Sequence, residues 1–291
     1  MTSTPRRHAL GLAATTFTGT SRFEVRRVLG EGGMGTVYEA FDRERGMLVA
    51  LKTLRWLDAQ GIFRFKTEFR ARADLEHRNL VRLGELHQDR GHWFFTMELL
   101  EGRGFLSALR YDDTPSHDAP TALDLASLPV DSSAEISLAE PHTGRGYDER
   151  RVRAALRQLV HGLDALHRTG MVHRDLKPSN VLITHKGRLV VLDFGLVTEQ
   201  RPREVSDPGV VGTAAYMAPE QAMSGQVGPA ADWYSVGVML YEALTGRLPV
   251  DGTPIEILMR KQKELPPPPH KLADVPMDLS SLCIDLLAID P

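Results

Sequence analysis

An α+β fold is predicted by three features of the chain. Segments that alternate as strands crowd into the first hundred residues, at 23–29, 36–40, 49–52 and 93–97, around one helical stretch at 62–77. From residue 148 onward the apolar spacing is mostly helical. The 291 residues are enough for one large domain or two smaller lobes with separate cores, and not for several independent domains. Hydrophobic content of 42% with 25% charged residues is that of an ordinary globular protein. The net charge of -3 provides no basic field to steer nucleic acid or an anionic membrane, so neither is expected as a partner. The single cysteine, Cys283, cannot close an internal disulfide, which fits a reducing compartment, and the cytoplasm is the expected location.

Residues 1–21 start with Arg6 and Arg7 and a short apolar run broken by Thr15, Thr16 and Thr18; a disordered tail is expected there rather than a signal peptide. No segment approaches the roughly 20 apolar residues of a membrane span. The nearest, 233–241, is bounded by Asp232 and Glu242 and reads as a buried helix. The first strand runs into Gly30-Glu-Gly32-Gly-Met-Gly35, where glycines let a backbone hairpin approach phosphate oxygens closely. A dinucleotide-binding turn uses the same letters before a helix, but here Thr36 and Val37 open a second strand. In the third strand, Val49-Ala50-Leu51-Lys52, apolar letters around one lysine imply a buried stem with a functional head.

After a short helix ending near Arg110 the pattern collapses. Residues 111–146 are rich in Asp, Ser, Thr, Pro and Gly and too long for an ordered connection; a mostly disordered insertion is expected, with some structure at 123–128. Asp148 then caps a helix whose Val152, Leu156, Leu159, Leu163 and Leu166 recur at three- and four-residue steps. A hairpin around Lys186-Gly187 brings Asn180 and Asp193 to neighbouring strand ends. Thr253-Pro254-Ile-Glu256 is a capping box opening another helix, and Pro266 to Pro269 makes a stiff connector.

The chemistry concentrates in His173-Arg-Asp-Leu-Lys-Pro-Ser-Asn180, followed by Asp193-Phe194-Gly195. This stretch supplies a carboxylate able to accept a proton, a cation, and two oxygen ligands for a hard metal, an inventory suited to phosphoryl transfer from a metal-bound nucleotide. With Gly212-Thr213 and Ala218-Pro219-Glu220 downstream, the set resembles the eukaryotic-like, bacterial-type Ser/Thr protein kinases, from the first strand to the last helix. Lys177, two residues after Asp175, resembles the serine/threonine class rather than the tyrosine class.

That resemblance implies a bilobal protein kinase fold: a small antiparallel-sheet lobe with one long helix at 22–98, and a mainly helical lobe at 99–291. It implies that Asp175 is the base, Lys177 its cationic neighbour, and Asn180 and Asp193 the ligands of magnesium, with manganese as the alternative ion. Lys52 would contact the ATP phosphates and Glu68 would stand as its ion-pair partner. Leu29, Gly30, Gly32, Gly35, Val37, Ala50, Met97, Glu98 and Leu100 would line the nucleotide pocket. Thr213 would bond the catalytic loop, and Asp232 would accept backbone hydrogen bonds from it. Protein substrates and self-phosphorylation, with Thr198 and Ser206 as candidate acceptors, are the implied partners. Residues 282–291 resemble the penultimate helix of the family, so further domains beyond residue 291 are expected. Arg72, one turn after Glu68, stands where kinases usually place an apolar residue, and a helix swung outward with low basal activity is expected. A nucleotide-binding pseudokinase module is the alternative; it is countered by the presence of Lys52, Glu68, Asp175, Lys177, Asn180 and Asp193.

Overall fold

A computed structural model of the chain describes residues 17–32, 35–54, 59–111, 146–193, 213–223 and 227–290. Five strands form one antiparallel sheet: β1 (Phe23–Gly32), β2 (Gly35–Asp42), β3 (Met47–Thr53), β4 (Leu83–Asp89) and β5 (His92–Met97), in the order β1-β2-β3-β5-β4. Alternation decides which face each residue serves. Phe23, Tyr38, Ala40, Val49, Leu51 and Phe94 close one apolar cluster on one face of the sheet, and Phe95 turns to the other. There α1 (Ala59–Ala73) packs Phe65 and Phe69 against Phe95.

The tail boundary is corrected by this sheet. Phe17 is buried against Tyr38 and Phe94, and Gly19 bridges to Glu24, so residues 17–21 belong to the folded sheet lobe. The cause is the aromatic payload of Phe17, which a polar tail would lack. Helix α1 also differs from the 62–77 expectation, since it begins three residues sooner and stops at Ala73. Its end is closed by the Leu75 amide donating to Arg72, after which the His77 ring accepts from the Asn79 amide and takes the chain out of helical register.

The second lobe carries a small sheet of β6 (Gly102–Gly104), β7 (Val181–Thr184) and β8 (Leu189–Val191). Strand β6 runs so close to β7 that a Cβ on Gly102 would lie 2.3 Å from the Ile183 carbonyl. Helix α2 (Phe105–Leu109) follows, then α3 (Glu149–Arg168), whose N-terminus is capped by the Asp148 carboxylate accepting from the Arg151 amide at 3.1 Å. Helix α4 (Ala230–Thr245) is buried along its length and stops at Gly246 in the left-handed conformation, φ 72°. The capping box of Thr253 and Glu256 opens α5 (Pro254–Lys261) as expected. Helix α6 (Met277–Leu286) packs on α4 so tightly that a Cβ on Gly237 would meet Leu286 at 2.9 Å.

The two lobes do not have separate cores. Phe65, Phe69 and Phe95 belong to the same apolar cluster as Leu159 and Leu163 of α3 and Met239 and Leu240 of α4, while the second cluster is confined to the other sheet face. The segment before β4 makes the join: the Asn79 carbonyl accepts from Val191, and the Val81 amide donates back to it, at 2.9 Å each.

Where the expected insertion leaves the fold, the Tyr111 amide donates to the Gly146 carbonyl at 3.3 Å, and Arg110 bridges to Tyr147. The chain therefore departs and returns at one point; residues 112–145, including 123–128, lie outside the described residues. Among the described residues no helix is long and apolar enough to cross a membrane.

Candidate active site

The site is organised by one buried carboxylate. Asp232, in the first turn of α4, is fully buried and accepts the backbone amides of His173 and Arg174, each at 2.8 Å, with the His167 imidazole 2.7 Å away. An unpaired carboxylate at such a depth would be costly, so these bonds fix the loop's path. Arg174 is held at φ 65°, a conformation that a non-glycine residue adopts only under constraint. The His173 ring completes the frame: Nε2 lies 2.9 Å from the Leu192 carbonyl and Nδ1 accepts from the Asp175 amide at 3.3 Å. A carbonyl can only accept, so the proton sits on Nε2.

On this frame Asp175 is presented with both carboxylate oxygens 3.1 Å from the Lys177 ammonium. The same ammonium donates to the Thr213 hydroxyl at 3.2 Å, tying the loop to the 213–217 turn. Asn180, in the short 3-10 turn before β7, donates its amide to the Asp175 carbonyl at 2.7 Å. With the amide nitrogen so committed, its oxygen is the atom left for a ligand. The β7–β8 hairpin does what the sequence implied: the Leu192 amide donates to the Asn180 carbonyl at 2.8 Å, which brings Asp193 close to Asn180. Asp193 has φ 49° and is ion-paired to Lys52, which β3 places with its stem buried between Val37 and Phe95 of the neighbouring strands.

Glu68 is the residue the structure does not bring to Lys52. Its carboxylate is salt-bridged at 2.9 Å to Arg72 on the same helix, while Lys52 is engaged by Asp193. Arg72 is 8% exposed, and pairing with Glu68 is how its charge is accommodated.

In the expected nucleotide pocket, Leu29 and Ala50 are buried, and Ala50 faces Met97 across the β3–β5 pair. Gly30 pairs with Val37, and Gly32 with Gly35. Gly35 has φ 147° and approaches the Thr53 carbonyl so closely that a Cβ would lie 1.7 Å from it, so the position tolerates only glycine. Glu98 donates its amide to Arg82, leaving its carbonyl for a ligand, and Leu100 follows it half-buried. Sequence reasoning missed what holds Glu98 there: Arg188, from the β7–β8 hairpin, takes its carboxylate in two 2.9 Å bonds. Phe194, Gly195, Thr198, Ser206 and Gly212 lie outside the described residues.

The oxygen donors fit a hard divalent ion. Asn180 and Asp193 offer one amide oxygen and one carboxylate, the sparse set that magnesium uses when phosphates complete its shell. Lys52 is ion-paired beside them to Asp193, a cation of the kind that could face phosphate oxygens.

The protein kinase domain family matches residues 23–291. The chain is 39% identical over 236 residues to the serine/threonine-protein kinase PknL of Mycobacterium tuberculosis, covering 80% of this chain and 51% of the relative. It is 33% identical over 257 residues to PknA of the same organism (85% and 52%), and 29% identical over 276 residues to PrkC of Bacillus subtilis (93% and 38%). The chain therefore spans about half the length, or less, of the curated relatives it matches. The crystal structure of the Mycobacterium tuberculosis PknI kinase domain, in a cysteine-to-alanine mutant form, aligns with TM-score 0.62 at 22% identity, over 95% of this chain and 92% of that one, a likeness of fold. A fold of this class with such a loop defines a protein kinase domain. The chain belongs to the protein kinase family, among the bacterial-type Ser/Thr kinases, a family that uses ATP and a divalent metal.

Proposed function

We propose that this chain is an ATP-dependent Ser/Thr protein kinase domain that transfers the γ-phosphate of ATP to serine or threonine hydroxyls of protein substrates. The observation that carries the reading is the placement of Asp175. Its carboxylate is held by Lys177 and Asn180, with the Thr213 hydroxyl on the same ammonium, and the Lys52–Asp193 pair completes the charged set. Asp175 accepts the proton of the acceptor hydroxyl, and Lys177 balances the charge that builds between that oxygen and the phosphate. Lys52 orients the phosphates of ATP. Asn180 and Asp193 hold magnesium, or manganese in its place, and the bound ion supplies neutralisation of phosphate charge. Residues 22–98, extended back to Phe17, and 99–291 form the two lobes of this catalytic unit.

Incubation with labelled ATP, magnesium and a generic basic protein tests the reading. Label recovered as phosphoserine and phosphothreonine, in the substrate and in the chain itself, is expected. Label confined to nucleotide with no transfer to any protein would instead favour a nucleotide-binding module without transfer. One observation favours that second reading as a description of the resting state: Glu68 is paired with Arg72 rather than with Lys52.

A further inference from the structure

Lys261, the last residue of α5, is 1% exposed, although its ammonium has no carboxylate partner among the described residues. The Nζ lies 3.2 Å from the Ala214 carbonyl, 2.5 Å from that of Ala215 and 2.8 Å from that of Met217. Three ammonium donors thus meet three main-chain acceptors, and the Tyr234 ring, 5.2 Å away, covers the cation. The remaining carbonyl of the turn, that of Tyr216, accepts from the Ser235 hydroxyl at 2.9 Å. Every carbonyl from Ala214 to Met217 is therefore satisfied by a side chain of α4 or α5. Ala214 and Ala215 are themselves buried, so water does not replace those donors.

This turn begins at Thr213, whose hydroxyl is bonded to the Lys177 ammonium beside Asp175. A continuous chain of bonds therefore runs from Asp175 through Lys177 and Thr213 into the turn and ends on Lys261. The geometry points to Lys261 as a positioning residue for the acceptor: its ammonium pins the 213–217 turn from beneath, so that a substrate peptide is held at the correct height over Asp175. The inference rests on the kinase reading and adds a residue to its substrate-binding platform. Burial without a counter-ion also pulls the pKa of the ammonium down to about 7, so the group changes charge near neutral pH. The groups facing it are the Tyr234 ring from α4 and, beyond it, Glu220, whose charge acts on the Tyr234 hydroxyl; Arg260 on its own helix is turned away to Glu264. Neutral lysine has two N–H donors and a lone pair, which leaves one of the three carbonyls unbonded.

The test compares Lys261→Met and Lys261→Arg with the wild-type chain, by amide hydrogen exchange and by steady-state kinetics with a Ser/Thr peptide and ATP. Lys261→Met is expected to speed exchange at residues 213–217 about tenfold or more while 173–180 exchange as in wild type. Its KM for peptide should rise about fivefold or more, with the KM for ATP within about twofold, and Lys261→Arg, which retains N–H donors, should recover part of the loss. Wild-type exchange and peptide KM in Lys261→Met would overturn the inference. Should Lys261→Met not fold, Lys261→Gln is compared with wild type: its shorter amide has two N–H donors for three carbonyls, and a peptide KM equal to wild type would overturn the inference. A wild-type chain that transfers no phosphate would count against the kinase reading alone, because the exchange comparison still decides the role of Lys261.

Discussion

Glu68 and Arg72 are salt-bridged at 2.9 Å on one face of α1, and the lysine that Glu68 would otherwise meet, Lys52, is bound to Asp193. The two pairings are alternatives, because one carboxylate cannot neutralise both cations at full strength. Arg72→Leu removes the competitor and its buried charge. The turnover of the isolated chain is expected to rise several-fold, with Glu68→Gln reversing the gain in the double variant. A rate for Arg72→Leu equal to or below wild type would show that the Glu68–Arg72 pair does not restrain the enzyme.

Arg188 and Glu98 make a second separable contribution. The bidentate pair fixes the segment after β5 whose carbonyls are expected to read the adenine edge. Arg188→Ala is expected to raise the KM for ATP about three- to tenfold with a smaller change in kcat and in the KM for peptide. Isothermal titration with an ATP analogue and steady-state kinetics check the split. An unchanged nucleotide affinity would mean that the backbone alone holds this segment.

Asp42 anchors the sheet lobe. It is buried and takes two bonds from the Arg22 guanidinium, at 2.9 and 2.8 Å, which hold the pKa of its carboxyl down at about 2. The folded value lies below the ordinary one near 3.8, so the contribution is full above about pH 4 and fades as pH falls towards 2. Asp42→Asn is expected to lower stability by about 1–3 kcal/mol at pH 7 and to flatten the loss of stability between pH 4 and 2. Denaturant melts at pH 2.5, 4 and 7 measure both effects.

Lys261 gives a slope of the same sign in a higher pH window. Its folded value, about 7, is below the ordinary 10.5, so between those limits the unfolded chain holds more protons than the folded one. Stability therefore rises with pH across that window, by up to about 1.4 kcal/mol per unit, and the group adds no slope below about 7. Melts from pH 6 to 10 are expected to show this slope in wild type and not in Lys261→Met. Parallel curves would place the ammonium in a wetter site than its burial implies.

Much of the catalytic loop was legible in the sequence because its residues are neighbours in the chain. His173, Asp175, Lys177 and Asn180 lie within eight residues, and the hairpin that follows returns Asp193 to them by strand alternation alone. Four strands of the large sheet were legible for the same local reason, whereas β4, whose Leu-Gly-Glu-Leu-His-Gln-Asp carries little apolar alternation, was not. What escaped was set by partners distant in sequence. Arg188 reaches Glu98 across 90 residues and Lys261 reaches the 214–217 turn across more than 40, and neither has a spacing pattern to announce it. A lysine on a short amphipathic helix reads as solvated until the turn beneath it is placed. Strand β6 escaped because its Gly-Arg-Gly has no strand preference and is held by its contact with β7. The pairing of Glu68 depended on a choice between Lys52 and Arg72 that composition does not make.

The central claim is that Asp175, as held by Lys177 and Asn180, is the base for transfer to a hydroxyl. Asp175→Asn keeps the size of the side chain and removes its basicity, so one paired measurement decides it: kcat for peptide phosphorylation beside the dissociation constant for ATP with magnesium. A fall in kcat of about 10²- to 10⁴-fold, with nucleotide affinity within about threefold of wild type, is the expected result. Transfer at the wild-type rate in Asp175→Asn would contradict the account.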